Sequence, residues 1–88
     1  MVKVKFRNHE TGCLEILFIT AIDSGVVFDD VYQTVHSLHM YDEDGMELVV
    51  PCADAADSDA LVRSAFYDGK LDLSDREVIL NCVEDMMH

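Results

Sequence analysis

The first seven residues constrain the fold more than any other stretch. Val2, Val4 and Phe6 alternate with Lys3, Lys5 and Arg7, and a period of two is the pattern of a strand with one apolar and one solvated face. His9-Glu10-Thr11-Gly12 then supplies turn residues. Leu14-Glu15-Ile16-Leu17-Phe18-Ile19-Thr20-Ala21-Ile22 follows, apolar at nearly every position. The pair reads as a β-hairpin whose second strand is central and covered on both faces. A chain that opens this way builds its core on a sheet.

Asp42-Glu43-Asp44-Gly45 lies between two apolar runs, and Asp-Gly in that setting is a hairpin signal. It joins a strand near residues 35–41 to Met46-Glu47-Leu48-Val49-Val50. Residues 26–33 are ambiguous between a short strand and a helical turn. Val26-Val27-Phe28 are β-formers, whereas Phe28, Val31, Val35 and Leu38 recur at helical spacing. Pro51 has no N–H for a ladder and is expected to end the sheet.

Beyond it, Leu61, Val62, Ala65 and Phe66 form an apolar stripe on a helix over 58–68, with Asp57 or Ser58 as N-cap and Gly69 as terminator. Ser74-Asp75-Arg76-Glu77 matches a capping box, and Ile79, Cys82, Val83 and Met86 share one face of a helix over 75–86. A short strand Val78-Ile79-Leu80 is the alternative. The expected architecture is α+β: an antiparallel sheet of four to five strands with two C-terminal helices packed on one face. Residues 1–88 form one compact domain, mainly β over 1–51 and mainly α and strongly acidic over 52–88. Its expected core comprises Val4, Phe6, Ile16, Phe18, Leu48, Val50, Leu61, Phe66, Ile79 and Val83.

Charge carries the functional information. The 88 residues hold 18 acids and 6 Lys or Arg, a formal charge of −12, while half of the side chains are hydrophobic. That apolar content excludes a disordered acidic tail. Residues 42–88 hold thirteen of the acids against Arg63, Lys70 and Arg76, so they carry −10 of the charge. Direct binding to nucleic acid or to an anionic membrane is disfavoured by that sign. No apolar run reaches the roughly 20 residues of a membrane helix. The N-terminus lacks the apolar core of a signal peptide, and Cys13, Cys52 and Cys82 are an odd number without CxxC spacing. The expectation is a cytoplasmic protein with reduced, mostly buried thiols.

No motif supports catalysis. The serines lack nucleophile-elbow glycines and no Cys/His pair has a recognisable context, so a non-enzymatic protein without a cofactor is expected. His36 and His39, three apart on a strand, point to opposite faces and make a poor zinc pair. Counting an EF-hand from Asp42 puts Glu47 where glycine is needed and Ala53 where glutamate is needed, so no metal site is assigned. What remains is the density of carboxylates, which can approximate the field of a nucleic acid and attract a basic channel. The expected partner-binding residues are Asp42, Glu43, Asp44 and Glu47 on the hairpin tip and Asp54, Asp57 and Asp59 on the following loop.

In size, acidity and lack of an enzymatic motif, the whole chain resembles the small phage and mobile-element inhibitors of host defence. These are the anti-CRISPR and anti-restriction proteins, several of which imitate DNA. The resemblance rests on overall character, and those families share no signature from which residue roles transfer. It implies an inhibitor that mimics nucleic acid and blocks a basic nucleic-acid-binding site on a nuclease or effector complex. The alternative is an acidic adaptor or regulatory subunit that docks on a basic protein without mimicry.

Overall fold

The N-terminal alternation folds as expected. β1 (Val2–Arg7) pairs antiparallel with β2 (Leu14–Ile19), with Val4 opposite Leu17 and Phe6 opposite Glu15. Val4 and Phe6 are fully buried, while Lys3, Lys5 and Arg7 are exposed. The computed structural model describes residues 1–28 and 34–82, and side chains within 1–23 and 36–82. Among these residues it contains two sheets and a single helix.

After β2 the chain runs through Thr20 directly into β3 (Ala21–Phe28), which belongs to the second sheet. Both the N–H and the hydroxyl of Thr20 donate to the carbonyl of Tyr41, at 2.8 and 3.3 Å. β3 pairs antiparallel with β4 (Thr34–Tyr41), so the ambiguous stretch is strand through Phe28; residues 29–33 lie outside the described residues. The Asp42–Gly45 hairpin joins β4 to β5 (Met46–Cys52), with Tyr41 opposite Glu47 and Gly45 at φ 85°. That conformation admits glycine freely and penalises other residues.

α1 (Ala55–Asp68) starts about one turn before the expected helix. Asp54 is the N-cap, extended at φ −161°, and its carboxylate accepts from the Asp57 N–H at 2.8 Å. Asp57 reaches back to accept from the Ala53 N–H at 3.1 Å, a reciprocal arrangement close to a capping box. Gly69 ends the helix as expected, left-handed at φ 66°, its N–H bonded to the Ala65 carbonyl. Its own carbonyl accepts from the Lys3 N–H at 3.0 Å. The helix cap therefore delivers the chain into β6 (Lys70–Leu73), which lies parallel to β1.

The C-terminal region overturns the expected second helix. β6 is followed by a turn and then β7 (Ile79–Cys82), antiparallel to β5 with Leu80 opposite Leu48. Ser74 caps nothing there. Its N–H and hydroxyl both bond Asp72 Oδ1, at 3.0 and 2.6 Å. The short strand weighed as the alternative wins because β5, with β4 on one side, offers β-branched Ile79 a second ladder to join. The result is two sheets, β2-β1-β6 and β3-β4-β5-β7, in place of one sheet with two helices. Pro51 does not end β5, which continues to Cys52 opposite His36. β7 pairs only with Met46 to Val49, so no neighbour on that side needs the missing N–H.

One buried cluster takes Val4, Phe6, Ile19, Leu71 and Leu73 from the first sheet, Leu38, Met40, Leu48 and Val50 from the second, Ala65 from α1 and Val78 from just before β7. Of the expected core, Val4, Phe6, Leu48 and Val50 are fully buried and Leu61 is partly so. Ile16, Phe18, Phe66 and Ile79 are instead exposed, by 47, 54, 81 and 51%. β2 is an edge strand because β6 takes the other side of β1, so it is not covered on both faces. The helix buries only the narrow face of Ser58, Leu61, Val62 and Ala65. Val83 lies outside the described residues.

Replacing Phe6 by alanine should cost roughly 3–5 kcal/mol by cavity formation. Phe66→Ala should fall within about 0.5 kcal/mol of the parent. Urea unfolding at neutral pH measures both, and equal costs would contradict this core.

Candidate functional site

Of the seven carboxylates expected to face a partner, four are engaged within the molecule. Asp42 Oδ1 accepts from the N–H groups of Asp44 and Met46, at 2.9 and 2.8 Å, which closes the hairpin tip. Asp54 caps α1. Asp57 receives both Arg76 Nη2 and Nη1, at 2.6 and 2.9 Å, a forked pair tying the start of the helix to the β6–β7 turn. Hydrogen bonding to Arg76, helped by the Ala53 N–H, holds the Asp57 carboxyl down at about 2. Glu47 is half-buried on β5. Glu43, Asp44 and Asp59 remain exposed, with no side-chain bond among the described residues.

The fold also separates the two groups. The tip precedes β5 and the loop follows it, and a seven-residue strand spans about 20 Å. The tip stands beside the edge of the other sheet, where a cleft of about 320 Å³ lies between Asp42, Glu43, Asp44 and the side chains of Ile16, Leu17 and Phe18. Asp68, Asp72, Asp75 and Glu77 add exposed carboxylates along the end of α1, β6 and the turn after it.

A polar row on the outer face of the second sheet was missed in the sequence. Ser37 Oγ lies 3.1 Å from His39 Nε2, and His39 Nδ1 lies 3.2 Å from Glu47 Oε2. Asn81 donates to the other Glu47 oxygen at 3.4 Å, and the Tyr41 hydroxyl donates to Glu47 as well. Burial pushes the Glu47 carboxyl up, but the bonds from Tyr41, His39 and Asn81 outweigh it and hold the group below its ordinary range. The bond to Glu47 in turn raises the Tyr41 phenol. The signal was available: the Asp42–Gly45 turn sets Tyr41 opposite Glu47, and Ser37, His39 and Tyr41 then share one face.

Serine, imidazole and carboxylate in this order have the connectivity of a hydrolytic triad. Ser37 is only 5% exposed, however, which denies its hydroxyl an open approach by substrate. The row acts as a set of cross-strand ties among β4, β5 and β7. Among the described residues no three His, Cys, Asp or Glu side chains gather around a common metal position.

All three cysteines are free, but Cys13 is exposed rather than buried. Burial, with the nearby Asp57 carboxylate, pushes the Cys52 thiol up, and Arg76 pulls it the other way. No helix among the described residues is long and apolar enough to cross a membrane.

Among the described residues the fold is a strand-rich arrangement of two sheets and one helix, with exposed carboxylates on the hairpin tip, α1, β6 and the turn after it. Comparison with protein-family models, with curated proteins and with solved structures finds no match to this chain.

The Asp57–Arg76 pair makes stability pH-dependent. The folded carboxyl titrates near 2 against an ordinary value of 3.8, so the pair contributes fully above that ordinary value and is lost as pH falls toward 2. Arg76→Gln should lower stability at neutral pH and flatten the loss between about pH 4 and 2, as read from thermal melts. Parallel curves for the two proteins would show that Arg76 does not set this titration. A thiol reagent should find one fast group in the native protein, absent in Cys13→Ser, and dithiothreitol should leave the melting temperature unchanged.

Proposed function

We propose that this chain is a non-enzymatic interaction protein whose acidic side docks on a Lys/Arg-lined surface of another protein. The target class that best fits such charge is a nucleic-acid-binding site on a nuclease or effector complex. One observation carries this reading. Glu43, Asp44, Asp54, Asp59, Asp68, Asp72, Asp75 and Glu77 are all exposed, whereas Arg63 and Lys70 are the exposed cations in the same stretch and Arg76 is paired with Asp57. Fixed carboxylates in that excess attract basic clefts and repel phosphates.

The contact set differs from the one read in the sequence. Glu43, Asp44 and Asp59 keep their place. Asp42, Glu47, Asp54 and Asp57 hold the tip, the sheet and the helix start, and contribute to the field more than to specific contacts. Asp68, Asp75 and Glu77 join the exposed set. The internal use of four carboxylates favours, as the second reading, an adaptor that docks on a basic protein without imitating phosphate spacing. A host-defence nuclease, the target of the inhibitors that the chain resembles, is the first partner to try.

Pull-down against such nucleases at low and high salt, followed by competition with duplex DNA, separates the readings. A nucleic-acid-site blocker should be displaced by DNA and should weaken steeply as salt rises. Reversing Glu43, Asp44 and Asp59 together to lysine should weaken binding by more than about tenfold, mostly through association rate. A partner that holds this protein and DNA at once would select the adaptor. Salt-insensitive binding untouched by the triple reversal would remove both readings.

A further inference from the structure

We propose that the outer face of the β2-β1-β6 sheet is a second docking surface, which takes a short protein segment carrying carboxylates beside apolar side chains. Exposed carboxylates border this face, Glu43 and Asp44 beside β2 and Asp68 and Asp72 beside Lys3, Lys5 and Lys70, but its own surface is apolar and cationic, so the inference does not depend on the proposed function.

The cross-strand register assembles the face in columns. Leu14, Ile16 and Phe18 on β2 stand opposite Arg7, Lys5 and Lys3 on β1, and Lys70 on β6 stands opposite Lys3. Leu14, Ile16 and Phe18 are 46, 47 and 54% exposed. An apolar column thus runs beside a cationic one, and four of the six Lys and Arg residues of the chain converge here. Their partners are scarce. Lys3 and Lys70 are like charges placed directly across a ladder, which costs stability. In a chain with 18 acids, neither they nor Lys5 forms an ion pair among the described residues. Arg7 Nη1 donates to the Gly12 carbonyl at 2.8 Å. Asp72, opposite Lys5, accepts two bonds from Ser74 and feels the Lys5 charge, and Asp68 lines the same cleft as Lys3, Lys5 and Lys70, so two carboxylates at the β6 border face three lysines and Arg7.

Charge complementarity selects the occupant. The cationic column calls for anions and the apolar column calls for hydrophobic side chains in the adjacent row, so the partner must supply both. Three strands about 4.8 Å apart, β1 and β2 of six residues and β6 of four, make a face roughly 10 by 20 Å at its longest, the footprint of one extended segment and far below a standard globular interface. A nucleic acid or an anionic membrane would bring its phosphates against the net charge of −12. A second copy docked through the same face would stack cationic columns on each other. The Asp42–Asp44 tip borders the β2 side, at Ile16 to Phe18. The bound segment therefore lays its apolar side chains over β2 and its carboxylates over β1 and β6, away from the tip.

The test uses the full chain, isotopically labelled, titrated with a capped six-residue peptide of alternating Glu and Leu and with its Lys–Leu counterpart. The Glu–Leu peptide should bind saturably at millimolar concentration or below, with amide shifts confined to β1, β2 and β6. Lys3→Glu/Lys5→Glu and, separately, Phe18→Ser should each weaken it by about tenfold or more while leaving the urea midpoint near the parent value. The proposal is overturned by no saturable binding at millimolar peptide, by equal binding of the Lys–Leu peptide, or by shifts on the acidic side. Phosphatidylserine vesicles or duplex DNA occupying this face while the peptide does not would also overturn it. So would self-association in sedimentation that Phe18→Ser abolishes.

Discussion

The structure depends on the passage of the chain through Thr20. β2 and β3 are nearly continuous in sequence yet belong to different sheets, and the bonds from Thr20 to the Tyr41 carbonyl fix the crossing point. A strand that changes sheets in this way forms a corner, and the inner faces on either side of it share one core. Val4, Phe6, Leu71 and Leu73 meet Leu38, Met40, Leu48 and Val50 because of that corner. Gly69 closes the other side of the arrangement, ending α1 and feeding β6 onto β1.

The acids follow a division of labour set by this framework. Those at turns and helix starts accept backbone N–H groups, since a short carboxylate satisfies donors that a hairpin tip or a helix N-terminus leaves open. Asp42 and Asp54 act in this way, and Asp57 adds a charged partner in Arg76. Glu47 is taken up by hydroxyl, imidazole and amide groups across three strands. The carboxylates left over stand on the exposed side of α1, on β6 and on the turns.

The cations are sorted as sharply. Lys3, Lys5, Arg7 and Lys70 share the outer face of the first sheet, beside the exposed side chains of β2. The parallel pairing of β6 with β1 brings Lys70 onto the face of Lys3, Lys5 and Arg7. An acidic molecule with one cationic face orients itself in the field of a partner.

The local chemistry was legible without coordinates. Alternation in Val2 to Arg7 specified a strand and which of its faces is buried, Asp44-Gly45 specified a hairpin, and Gly69 specified a helix end, because each follows from backbone preferences within a few residues. The exposed state of Glu43, Asp44 and Asp59 follows from the same logic of turns and polar helix faces. Beyond the two hairpins, the sequence could not say which strand lies beside which. Ser74-Asp75-Arg76-Glu77 has the composition of a helix start, yet the free edge of β5 draws Ile79 to Cys82 into a ladder. Ile16 and Phe18 have the composition of a covered strand, yet β6 occupies the inner position beside β1 and leaves β2 at the edge. Ser37, His39, Glu47 and Asn81 meet only because β4, β5 and β7 are neighbours. Hydrophobic burial is indifferent to sequence distance. Propensity and patterning therefore decide local elements, and competition for sheet edges and for the single core decides which residues end up together.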